Sequence, residues 1–146
     1  MIRKIKKEDE LLYLDMAKKF YCSDAVYRNI PEKNISSTFN ELMRSDNYLV
    51  GYVIEHENNI AGYALLAKTF SQEAGGMVWW IDELYIVPEY RCHGLGHEFF
   101  SYIKMNLSDS VKRIRLEVED DNMKAVSLYK SIGFEDLPYS QMIIDL

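Results

Sequence analysis

The sequence predicts an α/β (α+β) domain, a mixed central sheet flanked by helices in the order β-α-α-β-β-β-α-β-α-β. Three observations carry this. Runs of β-forming residues and runs with helical apolar spacing follow one another along all 146 residues, with no internal repeat and no linker. A turn between two β-rich runs, at "ENN", marks an antiparallel hairpin. A helical segment stands between "MVWWIDELYIV" and "KRIRLEV", which sets up a parallel crossover, so the sheet is mixed.

The elements justify themselves in turn. Ile2 to Ile5 alternates like a short strand. "EDELLYLDMAKKFY" places Leu12, Met16 and Phe20 at helical spacing, with Leu11 and Leu14 beside them. After a break at Pro31, "EKNISSTFNELMRS" predicts a second helix with Ile35, Phe39 and Leu42 or Met43 on one side. The hairpin runs from Tyr48 through Glu57-Asn58-Asn59 and back from Ile60, and "MVWWIDELYIV" is a third long strand rich in β-formers. A glycine loop then opens a helix with Leu95, Phe99, Tyr102 and Ile103 on its stripe. In "KRIRLEV", Ile114, Leu116 and Val118 alternate with charged residues. "NMKAVSLYKSIGF" spaces Ala125, Leu128, Tyr129 and Ile132 as a helix that ends at Gly133, and "YSQMIIDL" is expected to close the chain as a strand.

The length predicts one domain, residues 1–146, able to bury a core. No apolar run approaches the ~20 residues of a membrane span, and "MIRKIKKEDE" has no secretory h-region, so a cytoplasmic protein without membrane contact is expected. Cys22 and Cys92 are expected to be reduced thiols. A formal net charge of −6 argues against nucleic acid and favours a cationic partner.

"PEYRCHGLGHEFF" is the first stretch that looks like a site. Free N–H groups and the positive end of the helix dipole would converge there on an anion. The loop is not a phosphate-binding loop of the Walker type, since no Gly-Lys-Ser/Thr follows. It is not G-x-G-x-x-G either, because His97, Glu98 and Phe99 supply no third glycine. It matches R/Q-x-x-G-x-G/A through Arg91, Gly94 and Gly96, glycines that let backbone approach a pyrophosphate without Cβ atoms. Cys92, His93 and His97 lack a fourth partner, so no metal is expected.

A second pattern, N-x-x-A-x-x-x-Y-x-x-x-G-F, is formed by Asn122, Ala125, Tyr129, Gly133 and Phe134. With "ELYIVPEYRCHGLG" before it, the chain resembles the GNAT superfamily of N-acetyltransferases over essentially its whole length. The resemblance implies the GNAT fold and acetyl-CoA as co-substrate. It implies that the amides of Cys92, His93, Gly94, Leu95, Gly96 and His97 face the pyrophosphate, beside Arg91. It further implies that Leu84, Tyr85 and Ile86 hold the pantetheine arm like an added strand, and that a homodimer is possible. Cys92 and His93 stand where many relatives carry small or basic residues, which leaves less positive charge in the loop. Asn122 is both a helix cap and an implied cofactor contact. Tyr129 lies on its helix's apolar stripe and also matches the tyrosine that protonates the thiolate of coenzyme A.

The chemistry needs a base. An alkyl ammonium with a pKa of ~10.4 is nucleophilic in only about one molecule per thousand or fewer near pH 7. Asp82 and Glu83 are the candidates, because a pair of acids inside an apolar strand calls for a reason. Neighbours on a regular strand face opposite ways, so one of them would point away unless a bulge re-aims it. Trp79 and Trp80 would not share a face, and with Tyr85 they are either core or walls of an acceptor pocket. The acids of "EVEDDN", Glu117 to Asn122, read as ordinary charge at a strand end and helix start.

The expectation is thus an acetyl-CoA-dependent N-acetyltransferase acting on a primary amine, a small cationic metabolite, by direct attack in a ternary complex. The alternatives are a non-catalytic module that binds coenzyme A or acyl-CoA, and a protein N-terminal or lysine acetyltransferase.

Overall fold

The computed structural model describes residues 1–146. Strand β1 (Ile2–Lys4) leads through a single 3-10 turn into helices α1 (Glu10–Tyr21) and α2 (Glu32–Arg44). Strands β2 (Leu49–His56), β3 (Asn59–Ser71) and β4 (Gly76–Ile86) follow, then α3 (Leu95–Met105), β5 (Val111–Leu116) and α4 (Met123–Ile132). The five strands lie in sequence order, antiparallel from β1 to β4 and parallel between β4 and β5. The crossover through α3 is the one expected. At the hairpin, Glu57 and Asn58 both take positive φ, 49° and 64°, the handedness that matches the twist of paired strands.

Each face of the sheet carries its own core. On one, Tyr13, Met16, Ala17 and Phe20 of α1 and Ile35, Phe39 and Leu42 of α2 pack against Val53, Tyr63, Leu65 and Tyr85. On the other, Leu95, Phe99, Phe100 and Ile103 of α3 pack against Val50, Tyr52, Ile54, Leu66 and Ile81, with Tyr129, Ile132 and Phe134 beside them. In α1 the buried stripe is therefore rotated from the expected one: Tyr13 is buried and Leu12 is 37% exposed. A ring at Tyr13 reaches the sheet from a position one step, about 100°, around the helix. In α2, Leu42 is buried and Met43 exposed, which decides between the two.

The expected closing strand does not form. Residues 139–146 pair with no neighbour, and Met142, Ile143 and Ile144 stand 94%, 68% and 86% exposed. An Arg28–Asp145 ion pair of 2.8 Å ties the segment to the α1–α2 connection instead. A run of β-forming residues makes a strand only when an edge lies alongside to complete the ladder.

One irregularity positions the site. Along β3, Leu65 faces Glu83 and Leu66 faces Ile81, so Asp82 has no opposite residue and forms a β-bulge. Ile81 belongs to the α3 face, and regular alternation would send Glu83 there too. The extra residue reverses the alternation: Glu83 meets Tyr21 and Tyr63 on the α1 face, while Leu84 packs on the α3 face.

Candidate active site

The parallel pairing of β4 with β5 ends at Ile81 and Leu116, and the two strands part. Beyond that point β4 runs on to Ile86 with only β3 beside it. The bond from Val87 N–H to Ala61 O fixes which way each residue turns. It makes Gly62 and Ile86 a non-bonded pair, so Ile86 and Leu84 direct their N–H and C=O groups to the open edge. Tyr85 turns its backbone to β3 and buries its ring in the α1 face. At the open edge the Ile86 carbonyl accepts a 2.9 Å bond from Arg91 Nε.

The glycine loop meets this edge at the mouth of α3. The N–H groups of Cys92, His93, Gly94, Leu95, Gly96 and His97 find no acceptor within the chain. Such a run of free donors before a helix is the backbone counterpart of a bound anion. Positive φ at Cys92 (65°) and Gly94 (78°) winds the loop so that the donors converge. The two glycines do different work. A Cβ on Gly94 would meet nothing within 4 Å, but left-handed backbone favours glycine there. A Cβ on Gly96 would stand 2.8 Å from Leu128 Cδ2, so this glycine lets α3 lie close to α4. His93 Nδ1 lies 2.9 Å from Arg91 O, and His97 Nε2 lies 3.0 Å from Ser131 Oγ, so the two rings serve separate bonds. Asn122 Oδ1 accepts from Ala125 N–H at 3.3 Å and caps α4.

Where the strands part there is a cleft of about 80 Å³ lined by Trp80, Ile81, Asp82 and Glu117. Asp82 accepts no hydrogen bond from the chain. Asp82 remains exposed to solvent, yet the protein packed around it and the nearby charges of Glu83 and Glu117 push its carboxyl up to about 6. Trp80 lies under the Arg115 guanidinium, 4.1 Å from the ring centroid, and donates from Nε1 to Thr69 Oγ1, so its ring face is already taken. Trp79 packs on the α3 face, opposite Trp80.

Glu83 is the contrary case. It is 5% exposed, and its two oxygens accept hydroxyl protons from Tyr21 at 2.6 Å and Tyr63 at 2.5 Å. Burial raises its carboxyl and the two hydroxyls draw it back down. Neither tyrosine stood out in the sequence. The available signal was general and held for Tyr63 alone: a tyrosine in an apolar run, here Ile60 to Ala67, needs a partner for its hydroxyl.

Against the α3-face core, the Tyr129 ring packs 5.8 Å from both Phe100 and Phe134. Its hydroxyl has no partner in the chain, and burial raises its pKa, which keeps the proton on oxygen. The bulge thus puts one acid in the cleft and one behind it, while the free amides and the open edge of β4 border the same fork.

The model of the acetyltransferase (GNAT) family matches residues 12–134. A thialysine N-epsilon-acetyltransferase of Mus musculus is 34% identical over 83 residues, covering 56% of this chain and 48% of that protein. The chain spans about half the length of this relative and of its counterparts in Bos taurus and Sus scrofa. Among solved structures, a possible acetyltransferase from Clostridium difficile 630 superposes with a TM-score of 0.86 at 18% identity, over 100% of this chain and 97% of that one. A predicted acetyltransferase from Clostridium acetobutylicum, crystallised with acetyl-CoA, gives 0.79 at 21% identity, over 99% and 95%. With the family pattern matched from the first helix to the end of α4, the chain belongs to the acetyltransferase (GNAT) family.

Proposed function

We propose that residues 1–146 act as a single acetyl-CoA-dependent N-acetyltransferase domain for small cationic primary amines. One observation carries the reading: six unpaired amides and the unpaired edge of β4 run toward a cleft where Asp82 stands free. The donors fit a pyrophosphate, and the Leu84 and Ile86 backbone fits an extended amide-bearing arm, as an added strand would be held. Bound acetyl-CoA would supply the activated acetyl group.

This chain's residues then divide the work. Asp82 attracts the ammonium and takes its proton, a task suited to a carboxyl held at about 6, close to neutral pH. Tyr129 keeps its proton at neutral pH and offers it to the departing sulfur. Asn122 fixes the start of α4 and so the helix that bears Tyr129. The cleft acids, the net charge of −6 and the ε-amine named for the mouse relative all favour a cationic amine.

Calorimetry with acetyl-CoA, followed by thiol release across a panel of amines, tests the proposal. Binding with turnover on a cationic primary amine is expected. Binding without turnover on any amine would make the chain a coenzyme A-binding module instead.

A further inference from the structure

Arg115 is an exception among the arginines. Arg3, Arg28, Arg44, Arg91 and Arg113 each donate to an acceptor in the chain. Arg115 donates to none, although it is half-buried. Its guanidinium lies 4.1 Å from the centroid of the Trp80 ring, and the bond from Trp80 Nε1 to Thr69 Oγ1 at 3.2 Å holds that ring in place. A guanidinium stacked on a fixed ring keeps its N–H fork open at the edge, the shape that takes a planar carboxylate with two bonds.

Its position says which carboxylate. Arg115 pairs with Trp80 one rung before β4 and β5 part, and Trp80 and Glu117 both line the cleft with Asp82. Arg113, the next arginine on that strand face, is closed by Glu73 at 3.1 Å, whereas no bond joins Arg115 to Glu117. The loop of free amides lies elsewhere: it follows Ile86, about 20 Å further along β4 at the usual strand rise. The anion that meets Arg115 is therefore not a phosphate of the cofactor but a group of the acceptor. A free cation and a free anion, two residues apart on one strand, are the complement of a zwitterionic head group, an α-carboxylate beside an α-ammonium.

We infer that the acceptor is an amino acid carrying a second, distal amine, and that Arg115 selects it by its α-carboxylate. The inference rests on the acetyl-transfer reading above and names the acceptor of that site. Arg115 takes the α-carboxylate with two N–H bonds, and Glu117 takes the α-ammonium. The distal nitrogen gives its proton to Asp82 and bonds the acetyl carbon as the C–S bond breaks, and Tyr129 protonates the departing sulfur. Charge alone argues for the reverse choice. A diamine of the same length carries two positive charges and no negative one, so the acids of the cleft would draw it more strongly than the amino acid. A preference for the amino acid has to come from a cation of the protein, and Arg115 is the free one beside this cleft.

The experiment compares L-lysine with 1,5-diaminopentane, the same chain without the carboxylate, in steady-state thiol release from acetyl-CoA. The parent chain should favour L-lysine by about tenfold in kcat/KM, the size of one charge-assisted bond. Arg115→Met keeps an unbranched stem on the Trp80 ring and removes the fork. It should raise KM for L-lysine about tenfold and turn the ratio in favour of the diamine. Arg115→Lys keeps the charge without the fork and should fall between the two. Calorimetry should find acetyl-CoA affinity unchanged in both variants, which separates loss of the head-group contact from loss of the fold. A parent that favours the diamine overturns the inference, as does a preference for L-lysine that survives Arg115→Met. Turnover on other amines but on neither of these two sinks this inference alone, whereas no thiol release with any amine sinks the acetyl-transfer reading and this one with it.

Discussion

The two halves of β4 differ in how many neighbours they have. From Gly76 to Ile81 the strand lies between β3 and β5, and Val78 and Ile81 are buried. From Asp82 to Ile86 it has β3 alone, and there stand the free carboxylate, the clamped one and the open backbone edge. In the first half every backbone group is spent on the ladder, so the strand can only support. In the second, one edge stays available for something outside the chain. The chemistry of this fold begins where its strand pairing stops.

The sharpest way to break that contrast is Asp82→Asn. Losing the base should lower kcat/KM by ~10²–10⁴-fold, and the loss should be independent of stability. The carboxyl is held at about 6, above its ordinary 3.8, so the folded state favours the protonated form. Its stabilising share is complete below the ordinary value and is lost as pH rises through 6. Melting temperatures should therefore match below pH 4, and at pH 8 the variant should melt no lower than the parent. A rise of kcat/KM in the parent through the region of pH 6, absent in the variant, checks the same group from the kinetic side.

Val78→Ala, in the first half of the strand, should do the opposite. Val78 is 2% exposed and outside the cleft, and its truncation should cost about 2 kcal/mol in denaturant unfolding. Turnover per folded molecule should hardly move, and a large loss of kcat at full folding would dissolve the boundary between the halves. On the α3 face, Tyr129→Phe retains the ring between Phe100 and Phe134 and removes only the hydroxyl. A fall in kcat of about a hundredfold is expected, and a change below about threefold leaves Tyr129 as a packing residue. The smallest effect belongs to the loop. Gly94→Ala places a Cβ in open space but on backbone at φ 78°, a strain of about 1–2 kcal/mol, and should weaken acetyl-CoA binding severalfold by calorimetry.

Much of this was legible in the residues. The hairpin, the crossover and the helix mouth at Gly94 follow from local patterns, which report local backbone faithfully. Less legible were features fixed across the sheet. Which of Asp82 and Glu83 enters the cleft depends on a slip of register against Leu65 and Leu66, and nothing in "WWIDELYI" marks it. The Tyr21 and Tyr63 hydroxyls reach Glu83 across 62 and 20 residues of chain. Residues 139–146 include the β-formers Tyr139, Ile143 and Ile144, yet a strand is a relation between two segments, and here the second is missing. Tyr13 rather than Leu12 fills the core because the sheet, not the helix, decides which side of α1 is inside.

The bulge has a meaning in the gene as well as in the sheet. Asp82 is the one residue of β4 opposite nothing in β3, so an in-frame loss of its codon would leave a strand of perfect alternation. Such a chain would keep every face as it is: Ile81 on the α3 side, Glu83 next to it with Tyr21 and Tyr63, and Leu84 back on the α3 side. Only the carboxylate in the cleft would be gone. The ladder has no use for Asp82, and the site has no substitute for it. The bulge is an insertion that adds one group to the cleft without moving any of its neighbours to another face.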